Sequence, residues 1–440
     1  MSYQDTINYL YNLQKYGVKL GLENTYKLMA LMDNPHLKFN SIHIAGTNGK
    51  GSVSAMLASA LQEAGYKVGL YTSPHLINLT ERIRINEKEI SEDKVIELTD
   101  EIRSRLFAVE AADCKADRFL PTFFEFTTTM AFAYFAEENV DIAVIETGMG
   151  GRFDSTNVIK PLVSVITPID YDHKEFLGDD ISAIANEKAG IIKQDGIVVS
   201  SPQNDEVLKI IREVSQNRNT RAFVVEKDAS AAEVDCDIDG CRFDYKGIEN
   251  EFKNLLIPLA GRHQIQNAAT ALLALETLGL KINESAIREG LGKTKWPGRL
   301  EIVSREPLII LDGAHNPAAA RKLKEFLLEF ANEKKIILVL GILVDKDISG
   351  IISELLPIAE NIILTKPDYY RASDPERIKG LIKDHSAVII NNIPDAIMHA
   401  KEIAMPDDII CITGSLFTVG EAKAFFSNPS PAKLMTGLRG

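Results

Sequence analysis

Short apolar runs alternate along the chain with longer stretches in which apolar residues recur every three or four positions. The first run is Ile42–Ala45, and the stretch from Gly51 to Ala64 keeps its apolar residues on one face of a 3.6-residue repeat. Further runs predict buried strands at Val68–Tyr71, Ile142–Ile145 and Val163–Thr167. Strands that alternate with amphipathic helices are typical of α/β proteins with a parallel sheet.

A second series of such patterns begins late in the chain. Its predicted strands are Leu308–Leu311, Ile336–Leu340, Ile362–Thr365, Val388–Ile390 and Ile409–Thr413. Between Phe223 and Phe252, acidic residues and glycine alternate with single apolar residues, which favours antiparallel hairpins. We therefore expect an α/β fold in two domains. The larger one, residues 1–296, carries a parallel sheet with a small antiparallel part, and a Rossmann-like C-terminal domain follows at 297–440.

The charge balance limits the kinds of partner. The 440 residues contain 49 Lys and Arg against 62 Asp and Glu, so the formal net charge is −13. A chain this acidic is not expected to bind nucleic acid or an anionic membrane, although a local basic pocket for phosphate is compatible with it. The sequence has neither a run of 18 apolar residues nor a cationic leader with an apolar core, so we expect neither a membrane span nor a signal peptide.

The number and spacing of the cysteines bear on the cellular compartment. Four of them, Cys114, Cys236, Cys241 and Cys411, are too few for a disulfide framework in a chain of this length. Cys236 and Cys241 lie close in sequence, but no second pair or histidine completes a zinc set. We expect a reduced, soluble, cytoplasmic protein that acts on small molecules.

A glycine-rich loop joins the first strand to its helix. Its residues are Gly46, Thr47, Asn48, Gly49, Lys50, Gly51 and Ser52. Glycines let backbone N–H groups face an anion, and the helix N-terminus adds partial positive charge. Lys50 can reach the outer phosphates of a nucleotide and Ser52 can offer a hydroxyl. The alternative is a turn that merely joins strand to helix, but the position of the lysine favours a phosphate site. The extra glycine after Lys50 points away from kinases and G-proteins.

Three side chains able to bind a metal follow predicted strands. Ser73 follows Val68–Tyr71, Glu146 follows Ile142–Ile145, and His173 comes soon after Val163–Thr167. Because ligands bind outside the carboxyl ends of parallel strands, these side chains are expected to converge on a bound triphosphate and hold Mg²⁺. Taken singly, each could equally be a capping or solvated residue. Composition alone gives Lys188 no role beyond that of a solvated lysine.

Ten motifs occur in an order that resembles a known family. They are GTNGKGS at 46–52, TSPHL at 72–76, ERI at 81–83, TFFEF at 122–126, ETGMGGRFDSTN at 146–157, DH at 172–173, NEKAGI at 186–191, GRHQIQNA at 261–268, PGRLE at 297–301 and LDGAHNP at 311–317. Together they resemble folylpolyglutamate synthase/dihydrofolate synthase of the Mur ligase superfamily, from about residue 40 to about residue 420.

The resemblance implies an ATP-dependent amide ligase that adds L-glutamate to the carboxylate of a folate or of dihydropteroate. It implies ATP and two magnesium ions, with K⁺ as a further candidate, and a monomeric protein. ATP would convert the acid to an acyl phosphate, which the amine of glutamate then attacks. Lys50 and Mg²⁺ would neutralise the γ-phosphate, and closure of the C-terminal domain would exclude water.

The resemblance also implies roles for individual residues. The ATP contacts are the loop residues 46–52 together with Asn267, Arg299 and Asp312. The magnesium ligands are Ser73, Glu146 and His173. The pteridine site comprises Thr122, Phe123, Phe124, Glu125, Arg152, Phe153 and Asp154. Lys188 corresponds to a lysine that becomes carbamylated, and His315 lies close to the incoming glutamate. Lys50, Lys188, His173 and His315 are thus the implied catalytic group.

The sequence departs from the family pattern at two positions and leaves the general base and two other classes of protein open. Phe153 and Ser155 stand where the family commonly has Leu and Ala, which leaves the breadth of the pterin pocket open. The general base is not named by the sequence, and Asp172 and His315 are both candidates. A muramyl-peptide ligase would share the phosphate loop, although such ligases usually carry GKTT there. A nucleotide-binding module without activity would need the metal ligands to be lost, whereas all are present.

Overall fold

The helices of the chain are distributed over both halves. The computed structural model describes residues 1–17, 19, 21–112, 120–172, 178, 180–331, 334–382 and 386–427. The helices of this part are α1 (Tyr3–Asn12), α2 (Glu23–Leu31), α3 (Lys50–Glu63), α4 (Glu92–Ala112), α5 (Phe123–Glu137), α6 (Ile181–Ala189), α7 (Asp205–Asn217), α8 (His263–Thr277), α9 (Glu284–Lys293), α10 (Pro317–Ala331), α11 (Ile348–Leu355), α12 (Pro375–Lys379), α13 (Ile393–Ile403) and α14 (Leu416–Ser427).

The strands form three sheets. They are β1 (Asn40–Ala45), β2 (Val68–Tyr71), β3 (Ile83–Ile85), β4 (Lys88–Glu89), β5 (Ile142–Glu146), β6 (Val163–Ile166), β7 (Ile197–Ser200), β8 (Arg221–Val224), β9 (Ser230–Asp237), β10 (Gly240–Lys246), β11 (Glu251–Ile257), β12 (Glu301–Arg305), β13 (Leu308–Leu311), β14 (Ile336–Leu340), β15 (Asn361–Leu364), β16 (Ala387–Ile389) and β17 (Ile409–Thr413).

The largest sheet places the glycine-rich loop at its centre. Its strand order is β4-β3-β2-β5-β1-β6-β7-β8, and every pair is parallel except β2/β3 and β3/β4. Strand β1 therefore lies between β5 and β6, with β2 one strand further out. The carboxyl ends of β1, β2, β5 and β6 meet at one edge, which is where ligands bind in open parallel sheets.

The C-terminal sheet has the order β12-β13-β17-β14-β15-β16, with only β12/β13 antiparallel. Its first strand begins at Glu301, close to the predicted boundary between Trp296 and Pro297. The boundary itself stays a prediction. The predicted α/β class, with a large parallel sheet, a small antiparallel part and a second parallel domain, is confirmed.

The small antiparallel sheet corrects one expectation. Strands β9, β10 and β11 pair in the order β11-β10-β9, which places Cys236 and Cys241 directly opposite each other in the β9/β10 register. The structure joins these two residues in a disulfide. The expectation of four reduced cysteines is therefore wrong for this pair, because the sequence analysis considered metal ligation and not cross-strand pairing. Cys411 is free and buried, and Cys114 lies outside the described residues.

Apolar side chains pack against both faces of the central sheet. One face carries α3, α8 and the three-stranded sheet, with Met56, Leu57 and Leu272 fully buried or nearly so. The opposite face carries α4 and α5, with Phe126 and Phe132 in the core. The phosphate-loop helix α3 is thereby packed along most of its length, which fixes the loop that precedes it.

A close helix contact supports the position of α3. A Cβ on Gly290 of α9 would lie 2.4 Å from Ala60 Cα, and Ser59 Oγ donates to Gly290 O at 2.7 Å. We expect Gly290→Ala to push α9 away from α3 and to cost about 1–3 kcal/mol of unfolding free energy. Thermal unfolding of the variant and the wild type measures this loss.

Gly292, two residues further along α9, is the matched control. A Cβ at this position meets nothing within 4 Å. Gly292→Ala should therefore leave stability unchanged or raise it by up to about 1 kcal/mol, since alanine is the better helix former. Equal effects of the two substitutions would contradict the close contact.

Candidate active site

The glycine-rich loop is fixed by two close approaches that only glycine allows. A Cβ on Gly46 would lie 1.9 Å from Thr167 Oγ1, and one on Gly49 would lie 2.5 Å from Asn267 Oδ1. Gly49 also has a positive φ of 83°, a conformation that glycine adopts without cost. The predicted ATP residue Asn267 therefore lies directly against the loop.

Two ammonium groups converge on one carbonyl of this loop. Lys50 Nζ donates to Gly46 O at 3.1 Å, and Lys188 Nζ donates to the same oxygen at 2.8 Å. Lys188 is buried, and burial, followed by the nearby charge of Lys50, lowers its pKa to about 7. Two lysine side chains, one from the loop and one from α6, thus meet at the loop, and the lowered pKa brings Lys188 close to its neutral form. An anion bound here would relieve the repulsion between the two ammonium groups.

Ser73 and Glu146 lie together at the edge of the sheet. Glu146 Oε2 accepts from Ser73 N at 3.3 Å, and burial raises the pKa of this carboxyl to about 7, opposed by the charge of Lys50. The predicted third ligand, His173, lies outside the described residues, and within the described part no group of three His, Cys, Asp or Glu side chains comes together. Among the described residues Glu146 belongs to no ion pair, and a buried carboxylate of this kind is a ligand that suits Mg²⁺.

Trp296 forms a wall of the cleft in front of the loop. A Cβ on Gly51 would lie 2.5 Å from the Trp296 ring, so the indole lies flat on the start of α3. The cleft is also lined by Ser73, Glu146 and Arg299. Ser52 is almost completely buried behind Gly51. Four predicted residues, Gly51, Ser73, Glu146 and Arg299, therefore share one cleft.

Arg299 and Asp312 lie where the C-terminal sheet begins. Asp312 Oδ2 accepts from Leu300 N at 3.0 Å and Oδ1 from Ala314 N at 2.9 Å, so this buried carboxylate holds two backbone segments together. Burial raises its pKa and the charge of Arg299 opposes that shift. Its predicted contact with ATP stays a prediction.

Three side chains tie the two sheets together across the cleft. Asp172, after β6, pairs with Lys346 Nζ at 2.6 Å and faces His315 Nε2 at 3.3 Å. Both Asp172 and Lys346 are more than nine-tenths buried. His315 is further fixed by a hydrogen bond from Nδ1 to Gly313 O at 2.8 Å. The C-terminal residue predicted to lie near glutamate is thus held against the phosphate-loop domain.

A second link joins the loop itself to the C-terminal sheet. Asn316 Nδ2 donates to Asn48 Oδ1 at 3.0 Å. Thr47 adds a contact within the larger domain, since its Oγ1 donates to Asp170 O at 2.9 Å. The side chains of Thr47 and Asn48 therefore position the loop rather than point freely into the cleft.

The predicted pteridine residues at the start of α5 serve partly as a helix cap. Thr122 Oγ1 accepts from Glu125 N, and Glu125 Oε2 accepts from Thr122 N at 2.6 Å, which is a capping box. Phe123 and Phe124 follow the cap. Phe124 packs against Gly148, where a Cβ would lie 2.5 Å from the ring, and Phe123 stacks on Tyr11.

The segment from Arg152 to Asp154 also contains one residue that shapes the backbone and two that are partly exposed. Asp154 is buried and accepts from Met149 N at 2.9 Å and from the backbone and hydroxyl of Thr156, so it shapes the turn. Arg152 and Phe153 have about half of their side chains exposed. Of the predicted pteridine residues, the three phenylalanines and Arg152 are therefore free of such a capping role.

Several residues of this site are not predicted by the sequence patterns. The pattern around Trp296 predicts only a turn, and no pattern predicts a role for Lys346 or Asn316. The sequence does mark Lys346 as a candidate for an ion pair, because it lies after β14 between two acids, Asp345 and Asp347. Nothing in the local pattern shows that it reaches Asp172, because this pairing spans 174 residues.

Comparisons with known proteins agree with this geometry. The Mur ligase middle domain matches residues 44–275, and the Mur ligase glutamate ligase domain matches residues 298–416. Dihydrofolate synthase/folylpolyglutamate synthase of Bacillus subtilis is 38% identical over 96% of this chain and 98% of its own length.

Two solved structures are also similar. Folylpolyglutamate synthase of Thermotoga maritima has a TM-score of 0.85 with 39% identity, covering 98% of each chain. Escherichia coli FolC in complex with DHPP and ADP has a TM-score of 0.86 with 30% identity, covering 97% of this chain and 98% of the other.

The phosphate loop, the cleft and the second α/β domain define an ATP-dependent ligase of the Mur type. Within that class, the chain belongs to the folylpolyglutamate synthase/dihydrofolate synthase family. In the part of the chain that the structure describes, no helix is both long and apolar enough to cross a membrane.

The buried pair between Asp172 and Lys346 gives a test of the link between the domains. We expect Lys346→Met to leave Asp172 without its nearest cation and to destabilise the closed arrangement by ~3–5 kcal/mol, or by less where the domains open and rehydrate the acid. Lys335→Met is the control, because Lys335 and Glu360 form an exposed pair at 2.9 Å worth at most ~1 kcal/mol. Urea unfolding measures both, and a loss in Lys346→Met no larger than that of the control would contradict the link.

Proposed function

We propose that the protein adds L-glutamate to the carboxylate of a folate, and to dihydropteroate, at the expense of ATP. The observation that carries the proposal is the convergence of Lys50 and Lys188 on Gly46 O beside the buried Glu146. This arrangement suits a terminal phosphate. The related proteins bear names that specify the substrates, and one of them holds DHPP and ADP.

The reaction would begin with attack of the acceptor carboxylate on the γ-phosphorus of ATP. The bond between this phosphorus and its bridging oxygen breaks, ADP leaves, and an acyl phosphate forms. The amine of glutamate then attacks the acyl carbon, phosphate departs with the C–O bonding pair, and the amine loses a proton. Lys50 supports the first step because its ammonium group stabilises charge on the phosphate oxygens.

Magnesium would lower the repulsion between the acid and the triphosphate. We propose Ser73, Glu146 and His173 as its ligands, on the strength of the buried Glu146 carboxyl beside Ser73. Two ions, and K⁺ in addition, remain part of the proposal from the family resemblance. Asn267, Arg299 and Asp312 are proposed to contact the nucleotide.

Lys188 is proposed to act as a carbamate. A carbamate forms when a neutral amine attacks CO₂ and loses a proton, and the lowered pKa of about 7 supplies that neutral amine. The product is anionic, so it would orient Lys50 or a metal ion instead of adding a second positive charge at Gly46 O.

The two sides of the cleft are proposed to hold the two organic substrates. Phe123, Phe124, Arg152 and Phe153 would bind the pterin, whereas Thr122, Glu125 and Asp154 shape its walls through the cap and the turn. His315 would contact the incoming glutamate. The links from Asp172 to the C-terminal domain close the cleft and keep water from the acyl phosphate.

Three further assignments complete the proposal. We propose that the protein acts as a monomer in the cytoplasm, with its domain boundary between Trp296 and Pro297. These assignments rest on the sequence pattern and on the family resemblance, and not on reduced cysteines, since Cys236 and Cys241 form a disulfide.

An assay with both acceptors tests the proposed function. We expect the purified protein with Mg-ATP and glutamate to convert tetrahydrofolate and dihydropteroate to products heavier by one glutamyl unit, detected by mass spectrometry. Omission of ATP or glutamate should abolish product. A protein that glutamylates neither pterin, or that instead extends a UDP-muramyl precursor, would overturn the proposal.

Lys188→Ala tests the carbamate. We expect turnover to fall by ~10²-fold or more with folding intact, since one group that stabilises transition-state charge is lost. Short carboxylic acids should restore part of the activity by occupying the vacated space. Lys209→Ala, on the exposed face of α7, is the matched control.

The adduct itself has a separate readout. With ¹³C-bicarbonate, the wild type should show a carbamate carbon by NMR that Lys188→Ala lacks. Because the amine is neutral above its pKa of about 7, this signal should grow from about pH 6 to about pH 8. Wild-type turnover in Lys188→Ala, or a signal that this variant retains, would refute the carbamate.

A further inference from the structure

Arg82 is a buried arginine that has no acidic partner at close range among the residues that the structure describes. It ends the short helix Leu79–Arg82 between β2 and β3, and only 7% of it is exposed. The adjacent acid does not neutralise it, because the Glu81 carboxylate accepts instead from the backbone N–H groups of Leu76, Ile77 and Asn78. Within the described part of the chain, Arg82 belongs to no ion pair.

Most of the donors of its guanidinium are unused. Arg82 Nε donates to His75 Nδ1 at 2.8 Å. The two terminal nitrogens carry four further N–H groups, and these donate to none of the described residues. A buried cation that keeps its fork of donors open is costly unless a partner of opposite charge arrives.

His75 fixes the orientation of the guanidinium. Because Arg82 can only donate, His75 Nδ1 must accept, and the proton of the neutral ring is on Nε2. His75 Nε2 then donates to Tyr11 OH at 3.2 Å. A ring that accepts at Nδ1 and donates at Nε2 is neutral, so the pair carries a single positive charge on Arg82.

Aromatic rings enclose the same guanidinium. Arg82 Cζ lies 5.1 Å from the centre of the Phe123 ring, which itself stacks on Tyr11 at 5.8 Å between centroids. Tyr369 of the C-terminal domain is close enough to influence the pKa of Arg82. Such surfaces suit an acid attached to an aromatic ring system.

The position of Arg82 relates these rings to the cleft. His75, its hydrogen-bond partner, lines the cleft together with Ser73 and Arg299. The charge of Arg82 also acts on Glu146, which lies at the proposed metal site. Arg82 is not itself one of the lining residues, but it lies one hydrogen bond behind the cleft wall and against the proposed pterin residue Phe123.

We propose that Arg82 binds a carboxylate of the acceptor substrate through its two terminal nitrogens. The proposal rests on the proposed function and names the group that recognises the acid. A guanidinium fork matches two carboxylate oxygens. Lys50 already supplies a cation for the phosphate at the glycine-rich loop, so Arg82 is available for the acid that must lie between the pterin and the γ-phosphate.

Binding of two matched ligands tests this subsite without relying on turnover. The affinity of dihydropteroate and of its carboxamide analogue is measured by calorimetry, in the presence of a non-hydrolysable ATP analogue, for wild type and Arg82→Gln. We expect the substitution to weaken dihydropteroate by ~10- to 100-fold, as for loss of charge-assisted hydrogen bonds, and to leave the carboxamide unchanged within about twofold.

Arg103→Gln is the matched control. Arg103 also lies over an aromatic ring, 4.5 Å from the centre of Tyr9. It belongs to α4, and its described partners Met1 and Asp100 do not line the cleft, whereas the Arg82 partner His75 does. The Arg103→Gln variant should bind both ligands with the affinity of the wild type. Arg82→Lys keeps the charge without the fork and should lose part of the affinity for dihydropteroate only, which provides the test if Arg82→Gln does not fold.

The outcomes separate the subsite from the proposed function. An equal loss of both ligands in the Arg82 variants, or no loss of either, would overturn the carboxylate subsite while the proposed function stands. A wild type that binds neither ligand would overturn both. A loss confined to dihydropteroate supports the subsite, because a purely structural role of Arg82 would weaken both ligands alike.

Discussion

The shared carbonyl of Gly46 is the constraint on which the rest of the site depends. Two ammonium groups, those of Lys50 and Lys188, donate to this one oxygen. Like charges at such a distance repel, and burial adds to the cost. The fold accepts this arrangement because burial lowers the pKa of Lys188 to about 7, and the proposed terminal phosphate would supply the opposite charge.

The strand order of the large sheet brings the residues around Gly46 O together. Because β1 lies at the centre of the sheet, its loop can be approached by residues from β2 and β5 and by the α6 residue Lys188. The close approaches at Gly46 and Gly49 then leave the loop no room to move. Asp172, which follows β6, connects this edge of the sheet to the C-terminal domain because it pairs with Lys346. A single edge of the sheet thus brings together the glycine-rich loop, the buried Lys188 and the link to the C-terminal domain.

Local patterns predicted the parts of the fold that depend on local physics. Strands such as Val68–Tyr71 and Ile336–Leu340 were predicted with the bounds the structure has, because their apolar runs are bounded by clear helix and turn signals. The loop was predicted from its glycines and lysine. By contrast, Thr122 and Glu125 were interpreted through the family resemblance, although their spacing is that of a capping box.

Pairings over long distances in sequence were not predictable. Trp296 covers Gly51 across 245 residues of chain, and Asp172 meets Lys346 through tertiary packing alone. Neither contact leaves a period or a motif. The disulfide between Cys236 and Cys241 depended on the register of one hairpin, which composition does not specify. The open guanidinium of Arg82 became visible only once its neighbours were placed.

The central claim is that the charge of Lys50 at the glycine-rich loop binds the terminal phosphates of ATP. Trp296, the only tryptophan, lies on Gly51 and reports on the loop by fluorescence. Titration with a non-hydrolysable ATP analogue should give a saturable change in the wild type. In Lys50→Met the same change should require ~10-fold or more analogue, as expected for loss of a charged hydrogen bond. Equal affinity of Lys50→Met and wild type would contradict the claim.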